Sequence, residues 1–437
     1  MKNASARYLF CGASCFFAVL AAWSAPVSSS ARQPAEFEPQ AAVWLAADPD
    51  NAEFMKVTVE LVKSLLPHVK VKLFADTDGN LGKAKAVLQQ HGIAPAALEY
   101  HADPLATFFM RDGAVYLVDA HGAMSVLDLK WSDYGLPGWC RRLLADKPER
   151  AAKCAGWVDA AKDELDRWIA KTSGVPVLAS PLFLENATFE VNGKGVLLIS
   201  ESLALERNEP AGRDEIEREL RVIPGVKKVI WLGEGVAQDP LEVSTITGRY
   251  VGMGAGGHTD EFVRFVDPST ILLAWQEDDG ANVHPLHRIN RERMQKNYDI
   301  LAHSTDQDGR PFRIIKVPMP AVIERKVVLA SRAEQGNSWN EASFPPSEGR
   351  KAGDEVIQVA AATYLNFLIA NEVVLVPSFV EDGTSPAVQD RVRHIFEDAL
   401  PGRKIQFVHC TPLMWQGGGL HCATLSEPKS NKLAENK

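Results

Sequence analysis

Apolar strand-like segments and amphipathic helical segments alternate along most of this chain, and that alternation restricts the fold more than any other feature. "AAVWLAADP" at 41–49 reads as a strand, residues 51–67 have helical apolar spacing, and "VKVKLFAD" follows as a second strand. The alternation continues as far as "KIQFVHC", which ends at residue 410. Such alternation indicates an α/β protein. No clean internal sequence repeat accompanies it, although a fold of diverged repeats would be compatible.

The first 31 residues differ from the rest. Two basic residues precede an apolar run at 8–23, and the small-residue stretch "SAPVSSSA" follows. This is the pattern of a secretory signal peptide, with cleavage expected after Ala25 or Ala31. An uncleaved anchor is the alternative, but the run is short for a membrane span, which needs about 20 apolar residues.

These features predict a domain organisation and a location. We expect a signal peptide at 1–31, a linker at 32–40, a single catalytic domain at 41–427 and a polar tail at 428–437. The mature protein would then be secreted or periplasmic.

The charge of the chain bears on its partners. Loss of residues 1–31 removes two basic and no acidic residues, so the formal net charge would change from −9 to −11. So acidic a protein is poorly suited to nucleic acid or to an anionic membrane surface. A cationic small molecule or a basic peptide suits it better. The sequence leaves the oligomeric state open.

Four cysteines follow the expected signal peptide: Cys140, Cys154, Cys410 and Cys422. In an oxidising compartment, Cys140 and Cys154 are a natural disulfide pair because they close a short loop. Cys410 and Cys422 could pair in the same way, which is the structural alternative to a catalytic cysteine.

Cys410 and Cys422 each follow a histidine, in "FVHC" and "GGGLHC". Neighbouring side chains of an extended segment point to opposite faces, so His409 and His421 are badly placed to serve the next sulfur. Cys410 ends an apolar strand, which is typical of ordinary burial. Cys422 follows the glycines at 417–419, which permit a close approach to a ligand. Cys422 is the better nucleophile candidate, and its base must come from elsewhere.

Three other segments offer partners for a nucleophile. "GGHTDEF" contains His258 and Asp260, which share one face if the segment is a strand. "FFMRDGAVYLV" places Asp112 at a turn, and "LENATFEVNGKG" contains Glu185. The alternatives are a satisfied surface pair at His258 and Asp260 and an ordinary Asp-Gly turn at Asp112.

The order of these motifs resembles the agmatine deiminase and Porphyromonas-type peptidylarginine deiminase family, which belongs to the guanidine-modifying pentein superfamily. The matching segments lie within residues 110–422 and are "MRDGAVYLV", "LENATFEVNGKGVLLIS", "ALERNEP", "GHTDEFVRFVDPSTILLAW", "TYLNFLIANEVVLVPSF" and "GGGLHC". The resemblance implies an α/β fold of the pentein type, a five-fold pseudosymmetric propeller with the site at its centre.

The resemblance also implies roles for individual residues. The implied catalytic residues are Cys422, His258, Asp112 and Asp260. The implied substrate-binding residues are Asp112, Asp260, Glu185, Gly418 and Gly419. His421 and Cys410 inherit no role. The implied chemistry needs neither a metal ion nor an organic cofactor.

The activity implied by the resemblance is deimination. A secreted guanidine deiminase would hydrolyse agmatine, or peptidyl or free arginine, to ammonia and a ureido product through a thiouronium on Cys422. Two departures from the family pattern affect the substrate: Asn186 and Ala187 follow Glu185 in place of two glycines, and Phe108-Phe109 stands where many members have a tryptophan. The alternatives are an amidinotransferase and a non-catalytic binder of cationic ligands.

Overall fold

The computed structural model describes residues 28, 30–105, 107–277, 284–331 and 339–430. The expected signal peptide lies almost wholly outside these ranges, as does most of the expected polar tail. Within the described ranges, no helix has the length and the apolar character needed to cross a membrane.

The described strands divide the chain into short extended segments. They are β1 (Gln40–Ala46), β2 (Lys70–Ala75), β3 (Glu99–Ala102), β4 (Val115–Val118), β5 (Met124–Lys130), β6 (Val177–Phe183), β7 (Phe189–Val191), β8 (Val196–Ser200), β9 (Lys228–Leu232), β10 (Leu241–Thr247), β11 (Tyr250–Ala255), β12 (Val263–Phe265), β13 (Thr270–Trp275), β14 (Arg313–Pro318), β15 (Glu324–Val328), β16 (Glu355–Val359), β17 (Leu368–Ala370), β18 (Val373–Ser378), β19 (Lys404–His409) and β20 (Thr424–Pro428).

The described α-helices lie between these strands. They are α1 (Ala52–Leu65), α2 (Asp78–Gln90), α3 (Leu136–Leu143), α4 (Pro148–Ala155), α5 (Leu165–Ser173), α6 (Glu201–Arg207), α7 (Arg213–Val222), α8 (Pro285–Ala302), α9 (Pro386–Ala399) and α10 (Thr411–Met414).

Five of the sheets in the described ranges repeat one strand pattern. In each of them an antiparallel pair is followed, after one or more helices, by a third strand parallel to the second. These units are β4–β5–β6, β7–β8–β9, β12–β13–β14, β17–β18–β19 and β20–β1–β2. The last unit is extended by β3, which is parallel to β2. The predicted α/β class is therefore confirmed.

A further four-stranded sheet has a different pattern. Its strand order is β10–β11–β16–β15, with a parallel pairing only between β11 and β16. Strands β10 and β11 precede the β12–β13–β14 unit in the chain, and β15 and β16 follow it. Strand β11 ends at Ala255, close to the "GGHTDEF" segment.

Local sequence determines where the helices begin and which face they bury. The Asn51 side chain accepts a hydrogen bond from the Phe54 amide and so caps α1, and a proline in the first turn begins α9. Helix α9 buries Val392 and Phe396 against the main apolar cluster. Each such side chain contributes about 1.5–3 kcal/mol when removed from water.

Two connections tie distant parts of the chain together. Cys140 on α3 and Cys154 on α4 form a disulfide with a Cα–Cα distance of 5.8 Å, which confirms that predicted pair. Strand β20, near the end of the described chain, pairs with β1.

The segment 32–40 differs from the expected linker because it is packed against the body of the protein. The Arg32 amide donates to the Val118 carbonyl at 3.0 Å, and the Glu36 side chain is 6% exposed. The side-chain contacts of Glu36 lie between 75 and 390 residues away in the sequence, which is why local composition did not indicate them.

Candidate active site

Each of the five repeated units places a polar side chain just before its first strand. These side chains are Asp112 before β4, Glu185 before β7, His258 before β12, Asn366 before β17 and Cys422 before β20. All five are buried. The repeated strand pattern therefore delivers one polar group per unit to a common region.

Cys422 lies in a tight turn at the end of the glycine segment. Its sulfur is 3.0 Å from Asn366 Nδ2 and 3.5 Å from Asp260 Oδ2. Asn366 Oδ1 accepts hydrogen bonds from the amides of His421 at 2.8 Å and Cys422 at 3.2 Å. Burial raises the pKa of the Cys422 thiol, and the nearby carboxylates of Asp260 and Glu261 raise it further. The sulfur is therefore a neutral thiol until a cation offsets those charges.

His258 is held by both its backbone and its ring. Its amide donates to Asp239 Oδ2 at 2.8 Å, and its Nε2 lies 3.3 Å from Glu185 Oε2. Burial lowers the pKa of His258, but the Glu185 hydrogen bond and the charge of Asp112 outweigh it and raise the pKa to about 9. The imidazole is therefore protonated at neutral pH and can act as a general acid.

Asp112 and Asp260 each keep one carboxylate oxygen free. The Tyr134 hydroxyl donates to Asp112 Oδ2 at 3.0 Å, and His421 Nδ1 lies 2.6 Å from Asp260 Oδ2. Asp112 Oδ1 and Asp260 Oδ1 are buried and have no hydrogen-bond partner among the described residues. Unpaired buried acceptors are costly, which favours a ligand that brings N–H donors.

The pKa values of these two carboxyl groups move in opposite directions. Burial raises the pKa of Asp112 to about 6 despite the charge of His258. Burial also opposes ionisation of Asp260, but the hydrogen bond and charge of His421 lower its pKa below the usual value. Both groups can thus be anionic at neutral pH.

A cavity of about 170 Å³ opens onto the sulfur. Its lining includes Asp112, Tyr134, Glu242, His258, Gly417 and Cys422, and it contains no lysine or arginine among the described residues. Burial raises the pKa of Glu242 to about 7, and the charge of Asp133 adds to the effect. The acidic groups of this lining favour a positively charged ligand.

Three side chains in this site have the composition of a metal-binding site. The ligand atoms of His258, Asp260 and Cys422 lie within 4.8 Å of one another. A cation of either kind, a metal ion or a guanidinium, could use this space. The two unpaired oxygens of Asp112 and Asp260 fit the planar, multiply donating guanidinium particularly well.

Comparison with known proteins decides the family. The model of the family "Porphyromonas-type peptidyl-arginine deiminase" matches residues 32–428. The chain belongs to this family.

Relatives of this deiminase family extend over nearly the whole chain. The "Putative agmatine deiminase" of Photobacterium profundum is 27% identical over 422 residues, covering 93% of this chain and 98% of the relative. The agmatine deiminase of Enterococcus faecalis shares the fold with a TM-score of 0.66 at 23% identity, covering 92% of this chain and 96% of that one. A substrate-bound agmatine deiminase of C. jejuni has a TM-score of 0.64 at 20% identity, covering 92% and 97%.

The structure brings together the four residues to which the deiminase family resemblance assigned catalysis. Asp112, His258 and Cys422 line one cavity, and Asp260 lies beside the sulfur. The same-face argument for His258 and Asp260 was wrong in its premise, because residues 259–261 form a 3-10 turn and the strand begins only at Val263.

Of the five residues predicted to bind substrate, only Asp112 lines the cavity; Asp260 lies beside the sulfur instead. Glu185 does not line the cavity; it lies behind His258 and pairs with Arg207 at 3.1 Å. Gly418 and Gly419 also lie outside the lining, where Gly417 takes their place.

The two glycines have a packing role instead. A Cβ on Gly418 would lie 2.6 Å from the Phe109 ring. A Cβ on Gly419 would lie 2.7 Å from the Asn366 amide. Glycine at these positions lets the nucleophile turn pack against its neighbours.

Sequence reasoning missed Asn366, Tyr134 and the contacts of His421. Asn366 is a polar residue inside the apolar run "TYLNFLIA", and such a residue needs hydrogen-bond partners when it is buried. Tyr134 lies in a loop where it and Asp133 have positive φ angles of 53° and 51°. Non-glycine residues in that region are a known sign of functional sites, but sequence alone does not show them.

Proposed function

We propose that this chain is a secreted guanidine deiminase that hydrolyses agmatine or peptidylarginine to a ureido product and ammonia. The observation that supports this most is the meeting of a cysteine sulfur, a protonated imidazole and the half-paired carboxylate of Asp112 around one cavity, with the half-paired carboxylate of Asp260 beside the sulfur. The family relationship supports the same chemistry.

The two free carboxylate oxygens would bind the guanidinium. Asp112 Oδ1 and Asp260 Oδ1 would each accept N–H bonds from the planar cation and compensate its charge. Hydrogen bonds to charged groups are worth about 1.5–3 kcal/mol each. This grip would hold the central carbon for attack by Cys422.

The bound cation would also generate the nucleophile. Burial and the charges of Asp260 and Glu261 keep the pKa of the Cys422 thiol high in the free protein, and a positive charge held by Asp112 and Asp260 would lower it. Release of the thiol proton to solvent would leave a thiolate that attacks the guanidinium carbon. The reactive sulfur would thus form only when a substrate is bound.

His258 would act first as an acid and then as a base. It would donate its proton to the leaving nitrogen, so that ammonia departs and a thiouronium on Cys422 remains. The neutral imidazole would then take a proton from water as the water oxygen attacks the same carbon. Collapse of that adduct breaks the carbon–sulfur bond and releases the ureido product, and the remaining proton leaves with ammonia as ammonium.

The cavity lining favours some guanidines over others. Free arginine carries a carboxylate, which would meet Glu242 with no lysine or arginine among the described lining residues to balance it. Agmatine and a peptidylarginine side chain lack that carboxylate close to the guanidine. We therefore place agmatine and peptidylarginine ahead of free arginine.

The arrangement of the whole fold is part of the proposal. The five units of equal strand pattern, each supplying a polar residue before its first strand, support a five-fold pseudosymmetric propeller around the site. The leader-like residues at 1–31 support export, so the substrate would be met outside the cytoplasm.

The test is turnover by the purified protein on agmatine, free arginine and an arginyl peptide, with ammonia and ureido product measured in parallel. We expect both products in equal amounts, no turnover by Cys422→Ala and near-normal turnover by Cys410→Ala. Turnover undiminished in Cys422→Ala would contradict the mechanism. Transfer of the amidino group to an added amine would indicate an amidinotransferase, and loss of activity with a chelator would indicate a metal enzyme at the same residues.

A further inference from the structure

Glu36 lies in the N-terminal segment yet sits at the centre of a buried charge cluster. Its Oε1 is 2.6 Å from Arg111 Nη2 and 3.0 Å from His421 Nε2. Its Oε2 is 2.5 Å from Arg264 Nη2 and accepts from the Ile369 amide at 3.1 Å. One carboxylate therefore joins four parts of the chain that are far apart in sequence.

Three of the partners of Glu36, Arg111, Arg264 and His421, also contact or adjoin residues of the candidate site or their neighbours. Arg111 precedes Asp112, and its amide donates to the Cys422 carbonyl at 3.0 Å. Arg264 donates to the Phe367 carbonyl at 2.7 Å, next to Asn366. These contacts fix backbone on two sides of the sulfur.

His421 makes the most direct of these links. Its Nε2 faces Glu36 and its Nδ1 faces Asp260 Oδ2 at 2.6 Å. Both ring nitrogens can donate only when the ring carries both protons. Placed between two carboxylates, the His421 ring holds the Asp260 side chain in place.

The cluster keeps Glu36 ionised. Burial opposes its ionisation, but the charges of His421, Arg264 and Arg111 outweigh burial and hold its pKa well below the usual value. A neutral residue in this place would leave three buried cations without their shared counter-charge.

We propose that Glu36 is a positioning residue of the active site, acting through His421 to orient Asp260 for the substrate. The inference rests on the proposed function, because it assigns Asp260 to guanidinium binding. It makes the segment that resembles a linker a functional part of the site.

Glu38 provides a matched control for Glu36. It lies two residues further along the same segment, and its carboxylate pairs with Arg32 at 2.6 Å where both side chains are partly exposed. Glu36→Gln and Glu38→Gln remove the same charge from the same segment, but only the first touches the cluster.

The experiment measures kcat/KM as a function of pH for both variants, together with their thermal unfolding. We expect Glu36→Gln to lose between about 10- and 100-fold in kcat/KM, since small misplacements of binding groups cost that much. Loss of the His421 contact should raise the pKa of Asp260 towards that of Asp112, which is about 6, so the acid limb of the profile should become steeper and move to higher pH. Glu38→Gln should keep the wild-type rate and profile, and Glu36→Asp should recover part of the loss.

A double-substitution cycle separates positioning from general stability. If Glu36 acts through His421, then Glu36→Gln combined with His421→Asn should lose less than the product of the two single losses. If the losses of the two single variants multiply in the double variant, the proposal is overturned. It is also overturned if Glu36→Gln loses activity and has a lower melting temperature while its pH profile is unchanged. An unaffected Glu36→Gln would overturn it as well.

Binding to an inactive background distinguishes this inference from the proposed function. In Cys422→Ser, calorimetry with agmatine should show weaker binding when Glu36→Gln is added and equal binding when Glu38→Gln is added. Equal binding in both would overturn the role of Glu36 alone. If the wild-type protein turns over no guanidine and Cys422→Ser binds none, the proposed function and this inference are overturned together.

Discussion

Two histidine–cysteine pairs lie twelve residues apart in this chain, and their sulfur atoms have different surroundings. Cys410 is fully buried in the main apolar cluster, where burial raises the pKa of its thiol. Cys422 is almost as buried, but its sulfur touches Asn366 and Asp260 beside a cavity. Neither forms a disulfide. Burial alone therefore does not separate an inert cysteine from a nucleophile; the polar groups around the sulfur do.

The neighbouring histidines differ in the same way. His409 is half-exposed and lies 3.1 Å from Asp382 at the surface. His421 is buried between Asp260 and Glu36. The sequence argument that neither serves the adjacent sulfur agrees with both sets of contacts, yet one of the two histidines still belongs to the site.

The largest expected effect tests the acids around Cys422. Asp112→Asn and Asp260→Asn should each lower kcat/KM by about 10²- to 10⁴-fold, because breaking a buried charge pair costs about 3–5 kcal/mol. Steady-state turnover of agmatine or an arginyl peptide measures this. Asp382→Asn, on the Cys410 side, should stay near wild type; an equal loss there would break the comparison between the two regions.

Asn366→Ala should have the next largest effect. It removes a hydrogen bond to the sulfur and the acceptor that holds two amides of the nucleophile turn. One hydrogen bond to a charged group is worth about 1.5–3 kcal/mol, so kcat should fall by about 10- to 100-fold. The rate of Cys422 alkylation should fall in parallel. His409→Gln is the control, and comparable losses in both variants would argue against a specific role for the amide.

Glu185→Gln should sharpen the assignment of His258. The Glu185 hydrogen bond raises the pKa of His258 to about 9, and the protonated ring is the form that acts as an acid. The alkaline limb of the rate profile should therefore lie near pH 9 and move down towards the ordinary histidine value of about 6.5 in the variant. Glu206→Gln, which also removes a partner of Arg207, should leave the limb in place. If the alkaline limb stays in place in Glu185→Gln, it reports the ionisation of a group other than His258.

The smallest effect is expected at Cys410. Cys410→Ala should keep wild-type turnover and lose about 1 kcal/mol of unfolding free energy, because it leaves only a small cavity in the core. Chemical denaturation and an activity assay measure the two quantities. A large loss of turnover in a stable variant would remove the distinction between the two cysteines.

Strand and helix alternation predicted the fold class, whereas a repeated unit was expected only from the family resemblance. Strand and helix alternation was visible because apolar periodicity depends on burial within each element. The recurrence of one strand pattern could not be seen in the amino-acid sequence, because the five units share a strand arrangement but differ in their residues. The same position before the first strand carries Asp112, Glu185, His258, Asn366 and Cys422 in turn.

Only those site residues that lie in recognisable sequence motifs could be predicted. Asp112, His258, Asp260 and Cys422 came from the family resemblance, and the structure places them together. Glu36 could not be found in this way, because "RQPAEFEPQ" has the composition of a linker and its Arg264 partner lies 228 residues further along the chain. No local pattern distinguishes Glu36 from Glu38.

The pairing of β20 with β1 joins the last described strand of the chain to the first. A ribosome completes Glu36 and β1 long before it adds the residues at 421–428 that pair with them. Until then Glu36 lacks its His421 partner and the candidate site lacks Cys422. Products of interrupted synthesis consequently lack the proposed nucleophile, and the last stretch of the described chain to be made completes the contacts of the candidate site.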